Sequence, residues 1–116
     1  MNDAVAPYLF AALVAVYVFG LANHFAARKL ALRLRSIAGE EWRRLGSPEC
    51  YMVHWRLSSA MWRDQFATQR LIFWAVLTEK HARYRDAELS RWAWIVRVTW
   101  ILSIGGLVAG AVYFWP

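Results

Sequence analysis

The sequence predicts an all-α fold: two transmembrane helices joined by a basic cytoplasmic helical segment. Three observations predict it. No Asp, Glu, Lys or Arg occurs from Ala4 to Ala27 or from Val98 to Pro116. All 14 basic residues fall between Arg28 and Arg97, and of the 8 acidic residues only Asp3 lies outside that interval. A chain that is 59% hydrophobic yet carries a net charge of +6 is therefore split into apolar, charged and apolar parts. A water-solvated domain spreads charge along its length to cover its surface, so the split favours a bilayer. At 116 residues the chain has room for one unit, with span 1 over 4–27, the basic segment over 28–91 and span 2 over 92–116.

Span 1, AVAPYLFAALVAVYVFGLANHFAA, exceeds the roughly 20 apolar residues that a hydrocarbon core requires. It is not a cleaved leader by pattern, because Asp3 precedes it and Arg28-Lys29 follow it, the reverse of a signal peptide's charge order. Helix-forming residues continue through ARKLALRLRSI, so the helix is expected to reach Ile37, with Gly39 as its stop. Span 2 is VTWILSIGGLVAGAVYFWP, extended upstream by Trp92, Trp94, Ile95 and Val96. Arg97 interrupts it near one end, where a long side chain is expected to snorkel to the headgroups. Aromatic belts are expected at Tyr113, Phe114 and Trp115 and at Trp92, Trp94 and Trp100, with Tyr8 and Phe10 at the start of span 1. Because cations resist translocation, the basic middle is expected in the cytoplasm and both tails outside.

Within the middle, Ser47-Pro48-Glu49 predicts a helix start, with Ser47 as cap and Pro48 in the first helical position. No Pro or Gly follows until Gly105. A seven-residue echo runs WRLSSAM, WRDQFAT, QRLIFWA from Trp55. On a helix, Trp55, Trp62, Phe66 and Phe73 form one apolar stripe, and Arg56, Arg63 and Arg70 run beside it at about 100°. Aromatics rimmed by arginines suit a helix lying in the membrane surface, where lipid headgroups rather than nucleic acid are the expected anionic partner. The alternative is packing of that stripe on the extension of helix 1 or on another copy. Asp86 is expected to cap the second long helix, with Glu88 in its first turn.

Other residues predict little chemistry. His24, His54 and His81 do not pair within a helical turn, span 2 has no histidine, and no acid completes a zinc set, so neither metal nor haem is expected. Glu40 and Glu41 are adjacent and do not face one another on a helix. Cys50 is the single cysteine and is expected to be a reduced, inert thiol. No catalytic motif or phosphate-binding glycine loop is present, so no catalytic residue and no cofactor is assigned. Gly106 and Gly110 carry the small-xxx-small spacing that lets membrane helices approach, extended by Gly105 and Ala109, with Ala11 and Ala15 as a weaker strip in span 1. This strip is expected to join the two spans, two copies, or a partner subunit.

From Arg70 onward the chain resembles the universal stress protein B family of small two-span bacterial inner-membrane proteins. The residues that carry the resemblance are Arg70-Leu71-Ile72, Asp86, Glu88, Leu89, Arg91, Val96-Arg97 and Trp100-Ile101-Leu102. The resemblance implies a bacterial inner-membrane location and a part in envelope stress tolerance, and with no catalytic motif a non-enzymatic role is expected. Ser47-Pro48 and the Trp55–Trp74 stretch have no clear counterpart there. The alternative expectation is an accessory two-span subunit of a larger respiratory or photosynthetic membrane complex.

Overall fold

The computed structural model describes residues 6–50 and 59–114, and among them the regular structure is helical throughout. Four α-helices follow one another: α1 (Ala6–Ile37), α2 (Gly39–Arg44), α3 (Ser59–Leu77) and α4 (Ala87–Phe114), with a 3₁₀ turn at Lys80–Tyr84 between the last two. α1 and α4 form an antiparallel hairpin, with Gly106 beside Val16, Val96 beside Asn23 and Asp86 beside Arg33. Both are long and apolar enough to cross a membrane. A core helix of a soluble protein would be mostly buried, whereas only 11% and 6% of their most apolar stretches are buried within this molecule.

α1 runs without interruption through the boundary between its apolar and basic parts, because Ala, Leu, Arg and Lys all favour helix. It ends at Ile37, as the composition predicts, but the break falls on Ala38 and Gly39 opens α2 instead of stopping α1. The expected helix start at Ser47-Pro48 is absent. Gly46, Ser47 and Cys50 all have positive φ, at 96°, 54° and 55°, so the chain turns back here. The N–H groups of Glu49 and Cys50 are satisfied by Asp64 Oδ1, at 2.7 and 3.2 Å, rather than by helical carbonyls. The Trp42 indole donates to the Pro48 carbonyl at 3.0 Å and pins the turn from its other side. Gly46 is required twice over: its φ favours glycine, and a Cβ would stand 3.1 Å from that of Ala67 in α3.

Downstream, the absence of Pro and Gly did not keep the chain helical. α3 stops at Leu77, and a side chain from α4 takes the carbonyls of Ala75 and Thr78 at that end. Arg85, at φ 50°, closes the 3₁₀ turn, and Asp86 then caps α4 as expected, its Oδ1 accepting the Leu89 N–H at 2.7 Å.

The packed core occupies one end of the hairpin. Ala26, Ala27, Leu30, Ala31 and Leu34 of α1 meet Leu89, Ala93 and Val96 of α4 and Leu71, Ile72, Trp74 and Ala75 of α3. Small residues alternate with leucines there, which lets three backbones approach closely.

Candidate membrane-surface site

α3 lies across the hairpin, not along it. Asn23 and Val96 are hydrogen-bonded and so mark one level of the two long helices. From its first third to its middle, Asp64 and Thr68 hold Glu49 and Cys50, and the Cys50 carbonyl accepts from His24 Nε2 at 2.9 Å. Its end is held by Arg97. Its middle and its end therefore sit at the level of residues 23–24 and 96–97. Nineteen residues make a rod of about 28 Å, which fits the 34 Å second dimension of a molecule measuring 53 × 34 × 18 Å. Counted from that level, 18 residues of α1 and 19 of α4 remain towards the apolar ends. That is close to the roughly 20 needed to span a hydrocarbon core.

Two opposite faces divide α3. Asp64, Thr68, Leu71 and Ala75 fall within about 60° of one another on the helix and are buried against the hairpin. Trp62, Phe66 and Phe73 fall within about 40° on the far side and are 55%, 65% and 44% exposed. Leu77 extends this apolar strip, and the Phe73 ring meets Trp100 of α4 edge-on. Arg63 and Arg70 are exposed and flank the strip on the side of Ala67 and Trp74. That is the side turned to the Gly46 turn, where Ala67 approaches Gly46 and Trp74 Nε1 donates to Glu41 Oε1 at 3.0 Å. Trp55, Arg56 and His54 lie outside the described residues.

Arg97 does not snorkel outward. Its guanidinium donates to the Ala75 and Thr78 carbonyls, both at 3.0 Å, and to Glu79 Oε1 at 2.9 Å, while stacking 4.6 Å from the Trp94 ring. A cation at a helix C-terminus satisfies orphan carbonyls and opposes the negative end of the dipole. A half-buried guanidinium with several acceptors is more favourably placed here than one stretched to the headgroups. Sequence reasoning missed this, and also missed Asn23, which donates to the Val96 carbonyl at 2.8 Å and to Thr99 Oγ1 at 3.1 Å. A single amide inside an otherwise apolar run was the available signal, since such groups join membrane helices.

The remaining titratable groups are structural. Burial pushes the Cys50 thiol up to about 11, so it is a protonated, unreactive group at neutral pH. His81 is buried against Trp74 with no hydrogen-bond partner on either ring nitrogen, and burial lowers its pKa. The Arg33 guanidinium holds the Asp86 carboxyl below its ordinary value. No cluster of His, Cys, Asp and Glu suited to a metal occurs among the described residues.

The glycine strip is divided by the fold. Gly106 faces Val16, where a Cβ would lie 3.1 Å from Val16 Cγ2. Gly105 and Gly110 face open space, and Ala109 is exposed. An apolar cleft of about 350 Å³ lies between the two spans from Gly106 onward, lined by Leu9, Ala12, Leu13, Leu107 and Gly110 among others.

No protein-family model, curated protein or solved structure matches this chain.

Proposed function

We propose that the chain is a non-enzymatic two-span protein of a bacterial inner membrane, with both termini periplasmic, that uses α3 to engage the cytoplasmic surface of the bilayer. One observation carries this proposal: an aromatic strip rimmed by arginines projects from the hairpin at the level where both apolar spans end. Tryptophan and phenylalanine favour the headgroup–acyl boundary, and arginines on the cytosolic side of the strip favour anionic phosphates. The lipid bilayer and its anionic headgroups are thus the primary partners. The part in envelope stress tolerance implied by the resemblance to universal stress protein B fits a protein that works on the bilayer itself.

The open cleft beside Gly110 favours a second reading, in which a second copy or a larger membrane complex covers the outer ends of the spans.

The test is depth measurement on the full chain in anionic vesicles, with a spin label at position 66 or 73. The label is expected at the headgroup–acyl boundary. A label as accessible to aqueous relaxing agent as one at Arg43 would remove the proposal. Replacing Arg63 and Arg70 by Gln is expected to shift the label toward water mainly on anionic membranes, and more weakly as salt rises, since surface charge is screened over about 10 Å at 0.1 M.

A further inference from the structure

The opposite face of the hairpin carries a second feature that α3 does not explain. Phe25 and Trp92, one from each long helix, meet edge-on with centroids 6.1 Å apart. A cation stands over each ring: Lys29 Nζ lies 5.5 Å from the Phe25 centroid, and Arg91 Cζ lies 5.2 Å from that of Trp92. Lys29 stands about 140° round α1 from His24, which faces the α3 side. Both cations are exposed, and neither has an acidic partner among the described residues. The nearby acids are already engaged, because Arg33 binds Asp86 at 2.6 Å and Glu88 at 3.5 Å. A groove of about 320 Å³ opens beside Lys29 and Trp92, lined also by Leu32, Arg33, Ser36 and Glu88.

From this geometry we infer a binding site for the phosphate of an anionic glycerophospholipid between Lys29 and Arg91. Level and polarity together select a lipid. Lys29 stands six residues beyond Asn23 on α1, and Arg91 five before Val96 on α4, so both lie about 8 Å to the cytosolic side of the level where the apolar spans end. On the other side, along the same strip of α1, Val18, Leu21 and Phe25 are exposed and apolar. A ligand held here meets hydrocarbon below and two cations above, which is the layout of an acyl chain and its phosphate. The aromatic pair fixes both cation stems, so less side-chain freedom is lost on binding than for free surface lysines. The inference rests on the two-span reading but not on the immersion of α3.

The test is native mass spectrometry of the full chain, titrated with phosphatidylglycerol, phosphatidylcholine or inorganic phosphate. Wild type is expected to retain one more phosphatidylglycerol than the K29Q/R91Q double variant, and to show no comparable retention of phosphatidylcholine. Affinity at this site is expected to fall roughly 30-fold in the double variant, since each cation near an anionic surface contributes about fivefold. The conservative K29R variant is expected to retain the lipid. Both substituted side chains are exposed, and unchanged helical circular dichroism checks that the fold survives. Equal retention by wild type and double variant would overturn the inference, as would displacement by inorganic phosphate at equal concentration. The R63Q/R70Q variant keeps this lipid even if the proposal for α3 fails, so the two are separable.

Discussion

The same two helices live in two different ways. At the end that α3 covers, Leu30, Leu34, Leu89 and Val96 are fully buried, and Asp86 is matched by Arg33 and the Leu89 N–H. At the other end, Leu13, Val14, Leu107 and Val108 are about half exposed, and the clearest close approach is Gly106 to Val16. The first end is organised as a small soluble core would be, by removing apolar surface from water. The second removes none; its surface is satisfied by hydrocarbon, and only packing and a few polar bonds favour helix association there. One continuous sequence of helix formers can serve both, because the backbone is satisfied internally in either solvent.

This contrast is broken most directly at its strongest point. Leu71→Ala or Leu30→Ala should destabilise the detergent-solubilised protein by about 2–5 kcal/mol, the range for buried leucines. Leu13→Ala, at a side chain 56% exposed, should change thermal unfolding little. Equal losses at both ends would mean that the outer ends of the spans are packed as tightly as the core.

A smaller effect separates two glycines of the same strip. Gly106→Leu forces a side chain against Val16 and should cost about 1–3 kcal/mol as overpacking. Gly110→Leu enters open space and should be close to neutral in the monomer. If Gly110→Leu instead abolishes self-association in a membrane reporter assay, the cleft beside it is filled by a second copy.

The smallest effect concerns pH. His81 is held neutral by burial, with Glu79 at 3.7 Å favouring its protonation and Arg97 opposing it. Below about 6.5, the ordinary histidine value, the unfolded chain takes up a proton that the folded one resists, so stability should fall as pH drops from 7 to 5. Asp86 has the depressed carboxyl, so its contribution is present above the ordinary carboxylate range and is lost only in stronger acid. His81→Phe keeps a ring against Trp74 and should flatten the melting midpoint between pH 7 and 5. A midpoint that still falls over that interval would place the titrating group elsewhere.

Much of this architecture was legible in order along the chain. The location of charge marked both spans, composition carried α1 to Ile37, and Asp86 announced α4. The aromatic and arginine strips of α3 were readable from spacing alone, because helical periodicity places i, i+4 and i+7 together whatever the tertiary fold. What spacing could not show was where α3 ends and what it lies against. The end of α3 is held by Arg97, 22 residues beyond Ala75, and the turn at Gly46 depends on Asp64, 14 beyond Cys50. The Lys29–Phe25 pair was visible as an i, i+4 spacing, but its completion by Arg91 and Trp92 needed the register of the hairpin.

The clasp of Arg97 on the end of α3 sets an order of events during synthesis. α3 is synthesised before the residue that secures it. At about 5–20 residues per second, the 22 residues from Ala75 to Arg97 take roughly one to four seconds. Until Arg97 joins them, the carbonyls of Ala75 and Thr78 lack that partner, and Leu71 and Ala75 have α1 but not α4 to rest on. α3 therefore reaches its transverse seat only once α4 is in place, and a released chain truncated before Arg97 should expose α3 to protease while the full chain protects it.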